Sequence, residues 1–304
     1  MKWSERERAR LISLRDAMFQ DQGQGVFQGL QRDFVLNQPA RNLWAGIRED
    51  AIDYFRRHRI SWWGGAVDEP TGHLLSSQVA CVNHLYPLRQ REDLVLALLA
   101  GLDSTIVAAE RVDDGYIAFE FIGDRQYLKE RGFSRGAHCT SVDAAMIGRT
   151  VTGDRRIFLI EWKYVEAYVV KNQYVPARAQ VYDALILAPD SPFRPLDPRC
   201  FYYEPFYQLM RQTLLGALIA RHEDHGCTSY RHVHVAPDEN GEFHTSVTSK
   251  TLRGDTVYDA WRSSLKNDEL FLTRSPRTLF EPLTGLPDTG SHTAYLAARY
   301  WAGR

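Results

Sequence analysis

Apolar positions along the chain follow helical spacing at both ends and alternate in the middle. Leu11, Leu14, Met18 and Phe19 predict an amphipathic helix over 4–20, with Ser4 and Glu7 placed as a capping box. Leu43, Trp44, Ile47, Ala51, Tyr54 and Phe55 predict a second helix over 41–58. Its basic end, residues 56–59, suits a solvated helix C-terminus. Trp62-Trp63-Gly64-Gly65 reads as a turn packed on the core. A third helix starts at Ser76 or Ser77 and runs to about Leu99, with Val79, Val82, Leu85 and Leu88 on one face and Pro87 kinking or dividing it.

Strict alternation then takes over. Over 116–122, Ile117, Phe119 and Phe121 share one face and Glu120 lies on the other with Ala118 and Ile122. Strands over 139–147 and 156–165 follow, joined by a turn that holds Gly148, Gly153 and Asp154. A short helix within 168–188 and a proline-rich loop over 190–198 lead to a strong helix opened by Pro205. That helix buries Phe206, Leu209, Met210, Leu214, Ala217 and Leu218. A strand over 230–235 completes the order helix, three strands, helix, strand. Beyond it lie a turn at 238–241, a helix near 256–265 and a last helix over 294–301, read as peripheral.

At 304 residues the chain is long enough for a full core. It is read as one domain, with a helical part (1–75), a core (76–236) and a C-terminal part (237–304). No apolar run approaches a membrane span and the charged N-terminus lacks the apolar segment of a signal peptide, so a cytoplasmic location without a membrane partner is expected. Four cysteines without close spacing suit reduced, structural thiols. A net charge of −1 offers no global attraction to nucleic acid, so any such contact must come from local basic patches. His222, His225, Cys227, His232 and His234 lie close in sequence but fit zinc spacing poorly.

The chemistry concentrates at the end of the central strand. Ile157 to Ile160 is an apolar run that predicts burial on both faces, and it ends in Glu161-Trp162-Lys163. Period two sends Glu161 and Lys163 to one face and Trp162 to the other. The preceding strand carries Asp143, which the hairpin lays beside Glu161. Two acids and one base on adjacent strands suit metal-dependent phosphodiester hydrolysis: the carboxylates supply hard oxygen ligands to Mg²⁺, and the ammonium orients water or stabilises transition-state charge. Read without that chemistry, the same residues make a buried Glu161–Lys163 salt bridge with Asp143 in a turn.

Asp143…Glu161-Trp162-Lys163 resembles the catalytic motif of the PD-(D/E)xK nuclease superfamily, with Val142 where the motif's name has proline. Ser76-Ser77-Gln78-x-x-Cys81-x-Asn83 is similar to a restriction-endonuclease-like branch of it. The resemblance covers about half the chain. It implies an α/β fold with an αβββαβ core, a mixed central sheet flanked by helices, and N-terminal helical and C-terminal extensions. It also implies an endonuclease that binds Mg²⁺, or Mn²⁺ in its place, through Asp143 and Glu161, with Lys163 assisting the attacking water. DNA is the implied substrate, and a homodimer is possible for a two-strand cut. A nuclease acting on DNA ends, branched DNA or RNA, and a non-catalytic nucleic-acid-binding module, are the alternatives. Gln78 stands where many relatives carry an acidic ligand. Gln78, Glu120, Glu166, Gln208 and Gln212 are expected around the ligands. Arg125, Lys129, Arg131, Arg135 and Arg211 are expected to meet DNA phosphates.

Overall fold

The structure, a computed structural model, describes residues 1–301. Its centre is a six-stranded mixed sheet. Strand β3 (Ile106–Glu110) and strand β4 (Ala118–Phe121) lie end to end along one edge of β5 (Val142–Thr150), both antiparallel to it. β5 and β6 (Arg155–Trp162) form the expected hairpin, in register from Arg149↔Arg155 to Ala144↔Ile160. β7 (Cys227–Val235) runs parallel to β6, and β8 (Phe271–Arg274) parallel to β7, giving the order β3-β5-β6-β7-β8. A separate hairpin, β1 (Gly25–Phe27) with β2 (Leu30–Arg32), stands outside this sheet.

β6 is central because both of its faces are covered. Phe158 and Ile160 pack into one apolar layer with helices α1 (Trp3–Phe19), α2 (Arg48–Arg57), α3 (Ser77–Leu85) and α4 (Glu92–Leu102). Ile157 and Leu159 pack into the other with α5 (Pro176–Ile186) and α6 (Phe206–Arg221). All four side chains are fully buried, and each contributes about 1.5–3 kcal/mol of transfer free energy. This anchoring holds the polar end of the strand in place.

Several elements depart from the sequence reading. The helix expected over 76–99 is divided: α3 ends at Leu85, a 3₁₀ turn spans Tyr86–Leu88 around Pro87, and α4 starts at Glu92. Pro87 supplies no N–H and blocks a continuous helix. α2 begins only at Arg48, after a 3₁₀ turn at Pro39–Asn42. Its basic end is paired with acids, Arg57 with both Asp53 and Asp114. The cap of α1 uses Glu5, whose carboxylate accepts the Lys2 N–H at 3.0 Å. Glu7 is buried instead and accepts from the Tyr164 hydroxyl. Residues 241–244, beside the expected turn, form a short helix.

Strand β3 was not expected, being short and alanine-rich. The C-terminal part is not peripheral: β8 joins the sheet, and Leu296 and Tyr300 sit in the same apolar layer as α3. Trp3 Nε1–H donates to the Tyr164 carbonyl at 2.8 Å, tying the N-terminal helix to the end of the central strand.

Candidate active site

Glu161, Trp162 and Lys163 separate by face as period two requires. Trp162 packs against His84 of α3 in the first layer, while Glu161 and Lys163 meet side chains of α6 on the other side. Lys163 Nζ donates to Glu161 Oε1 at 2.5 Å and to Gln208 Oε1 at 2.6 Å. Gln208 Nε2 donates to the same Glu161 oxygen at 2.7 Å, and Gln212 Nε2 to Oε2. Helical spacing of four places Gln208 and Gln212 on one face of α6, so both reach one carboxylate. Each therefore orients Glu161 from its amide group.

The hairpin register brings Asp143 next to Glu161. Asp143 Oδ2 accepts the Trp162 N–H at 2.6 Å, which fixes its carboxylate across the strand end. Glu120 joins them from β4. It is buried, and its backbone is left-handed, with φ of 48°. Such a conformation costs a non-glycine residue about 1–3 kcal/mol. Its effect is to break the alternation of β4. Phe119 enters the first apolar layer and Phe121 the second, so the shared face expected for 117, 119 and 121 does not hold. Glu120 turns instead into the cleft with Asp143 and Glu161.

The strained residue is held from both sides. Gln78 Nε2 donates to Glu120 Oε1 at 2.6 Å, and Ser141 Oγ to Oε2 at 2.8 Å. Behind it, Tyr54 Oη accepts the Phe119 N–H at 3.2 Å and Arg135 Nε donates to the Phe119 carbonyl at 3.0 Å. Asp113 pairs with Arg135 at 2.8 Å and accepts from Tyr54 at 2.7 Å. Arg135, expected on DNA, is thus committed to the backbone beside Glu120.

Glu120, Asp143, Glu161, Lys163, Glu166 and Gln208 line one cleft of about 460 Å³. Glu166 is anchored at its edge by accepting the Tyr164 N–H at 2.6 Å. Burial pushes the Asp143 carboxyl well above the ordinary range, with Glu161 and Glu120 adding repulsion. Burial also raises Glu120 to about 7, against the hydrogen bonds from Gln78 and Ser141 and with help from Glu161. For Lys163, burial alone favours the neutral amine, but Glu161, Tyr168, Glu166 and Asp143 together outweigh it and hold the ammonium.

Two buried carboxylates, Glu120 and Glu161, and the half-buried Asp143 share this cleft with one ammonium, so it is short of positive charge. Hard oxygen donors and an excess of acid fit a divalent cation such as Mg²⁺, which uses one or two carboxylates and keeps water. Among the described residues, no three or more His, Cys, Asp or Glu side chains are gathered as a ready cage. An open arrangement, with part of the shell left for water and phosphate, is the kind that Mg²⁺ adopts. His232 and His234 are buried beside Thr213 and Tyr258 and are kept neutral by burial and by Lys163.

The remaining basic residues divide. Arg125, Lys129 and Arg131 are exposed on the connection between β4 and β5. Arg211 lies over the Tyr207 ring at 4.7 Å and bonds Thr140, outside the residues that line the cleft.

The family model described as "Restriction Endonuclease associating with ARP" matches residues 15–301. The chain belongs to this restriction-endonuclease-like family. No curated protein and no solved structure matches it at a significant level. The family match extends from the last turns of α1 through α2 to the C-terminal part, well beyond the half of the chain that the motif resemblance covered. The mixed six-stranded sheet flanked by helices is that of a restriction-endonuclease-like fold. No helix among the described residues is long and apolar enough to cross a membrane.

Within this restriction-endonuclease-like chain, sequence reasoning missed Ser141, Tyr168, Trp63 and His73, all of which line the cleft. Ser141 was legible only as a neighbour of Asp143. The others come from connections whose paths no periodicity reveals.

Proposed function

We infer that the chain is a metal-dependent nuclease that hydrolyses phosphodiester bonds of DNA. The observation that carries this is the convergence of Asp143, Glu161, Glu120 and Lys163 on one cleft in a chain of a restriction-endonuclease family. Asp143 and Glu161 would hold Mg²⁺, with Mn²⁺ as a substitute, and Glu120 lines the same cleft, where it would add negative charge beside them. The cation, when bound, supplies Lewis-acid polarisation of the phosphate and lowers the pKa of water. Lys163 keeps its proton and presents an ammonium at the floor of the cleft, where it stabilises charge that builds on the phosphate. Gln208 and Gln212 keep Glu161 from rotating away. The family's description also names an association with ARP, and the same partnership is proposed for this chain.

Gln78 tests how the third acid is held. Its Oε1 accepts the Trp63 N–H at 2.8 Å, and its Nε2 reaches the Ser61 carbonyl and Glu120. Gln78→Leu keeps the bulk and removes every one of these bonds. Cleavage is expected to fall about ten- to a hundredfold, the scale of residues that orient ligands. Unchanged rates in Mg²⁺ would take Gln78 out of the reaction and leave Ser141 to hold Glu120.

Backbone contact with DNA is expected from the exposed Arg125, Lys129 and Arg131. The same connection ends at Gly136 and Ser141, both at the cleft. Each phosphate contact adds close to one unit to the slope of log affinity against log salt, so alanine at both Lys129 and Arg131 should flatten it by up to about two units. Binding in Ca²⁺ measures this without turnover. A slope that does not change removes the loop from the DNA interface.

A further inference from the structure

Trp62 and Trp63 are neighbours in sequence and opposites in the fold. Trp62 is buried and stacks on Phe55, with centroids 3.7 Å apart and planes at 11°. Trp63 turns outward, 52% exposed, at the rim of the carboxylate cleft. Its ring lies 5.7 Å from Phe27, at the end of β1, and 5.7 Å from His73, edge on. Phe27 and His73 are 4.8 Å apart, and Phe34 stands 5.0 Å beyond His73. Gly64, with φ of 59°, lets the chain turn there; a Cβ at that position would sit 3.3 Å from the Phe27 ring.

This cluster is assembled from three separate stretches of chain and is coupled to the acids. The Trp63 N–H rests on Gln78 Oε1, and the other end of the same amide holds Glu120. His73 accepts the Leu75 N–H at Nδ1, and burial lowers its pKa to about 4, so it presents a neutral ring. Exposed indole costs solvation and gains nothing from the core. Its support by two further rings gives it a fixed orientation at the mouth of the cleft.

We propose that Trp63, backed by Phe27 and His73, is a stacking platform for an unpaired nucleobase next to the phosphate to be cut. This rests on the nuclease reading of the cleft. Both faces of a base inside a duplex are covered by its neighbours, so an aromatic platform engages a base that is single-stranded or has left the stack. Stacking is tolerant of base identity, because every base has a π face. The platform therefore selects for local unpairing and not for a particular letter.

The test compares wild type, Trp63→Ala and Trp63→Phe in Ca²⁺, with two duplex probes. One carries a single bulged 2-aminopurine, the other an abasic site at the same position. Wild type should bind the bulged probe and quench its fluorescence, and Trp63→Ala should bind it about ten- to a hundredfold more weakly, without quenching. Trp63→Phe should restore most of the affinity. The abasic probe should bind wild type and Trp63→Ala alike. An RNA version of the bulged probe separates a deoxyribonucleotide from a ribonucleotide source. Equal affinity of wild type and Trp63→Ala for the bulged probe overturns the platform, as does an equal loss on both probes or no binding by wild type. Asp143→Asn reads the other claim separately. Its cleavage reports on the carboxylates, and the contrast between the two probes reports on Trp63 in either background.

Discussion

Asp143→Asn is expected to abolish Mg²⁺-dependent cleavage and to leave the metal-free protein at least as stable as wild type. The first half follows from the loss of one of two proposed cation ligands, which removes several kcal/mol of transition-state stabilisation, or roughly a thousandfold or more in rate. The second half follows from burial. The Asp143 carboxyl is held well above its ordinary range because its ionised form is desolvated and lies near Glu161 and Glu120. A raised folded-state value means that the folded protein keeps a proton that the unfolded chain gives up. Its contribution is full at low pH and is lost as pH rises above the unfolded value of about 4. Glu120 acts in the same direction up to about pH 7. Asparagine resembles the protonated acid and removes the Asp143 part of this loss. Melts in chelator should therefore show the variant gaining on wild type between pH 5 and pH 8. Mg²⁺ should stabilise wild type more at pH 8 than at pH 5, and the variant hardly at all. A variant markedly less stable than wild type at pH 8 in chelator would mean that Asp143 is a structural anion.

Lys163→Met should be the most destabilising change in the cleft. The ammonium is buried, 2.5 Å from Glu161 and 2.6 Å from Gln208. Methionine fills similar space and leaves Glu161 buried without its cation, at a cost of about 3–5 kcal/mol. The folded-state value of Lys163 is raised, so its contribution is fully present below the ordinary lysine range and constant from pH 5 to 9. The deficit, measured by urea unfolding in chelator, should not vary over that window on account of the lysine. Mg²⁺ should restore part of the stability by replacing the lost charge, while cleavage stays absent. A variant within about 1 kcal/mol of wild type in chelator would remove the ion pair from the set of interactions that hold the strand end.

The part of the site that could be read from sequence lies on β5, β6 and α6. There the apolar run Ile157–Ile160 announces a two-sided strand, period two assigns Glu161 and Lys163 to one face, and Gln208 and Gln212 recur at helical spacing. Local pattern and tertiary packing agree at these positions. Glu120 was expected near the ligands and lines the cleft, but the faces of β4 around it were not legible, because a single left-handed residue reverses the alternation that follows it and no periodicity encodes a positive φ. Arg135 looked like a free cation in a polar loop. Its bonds to Phe119, Tyr54 and Asp113 depend on α2 and the β3–β4 connection arriving at the same place. β8 is four residues long, and its pairing with β7 is decided by contacts far away in sequence. The Trp63 cluster draws on residues near 27, 34, 63 and 73, so only the folded chain gathers it.

The central claim, that this cleft cuts phosphodiester bonds with a divalent cation, is tested most directly by a time course of supercoiled plasmid with purified protein. Wild type in Mg²⁺, wild type in chelator and Asp143→Asn in Mg²⁺ are run side by side. The account predicts conversion to nicked and linear DNA in the first reaction alone. Conversion that persists in chelator, or that proceeds in Asp143→Asn at the wild-type rate, would contradict it.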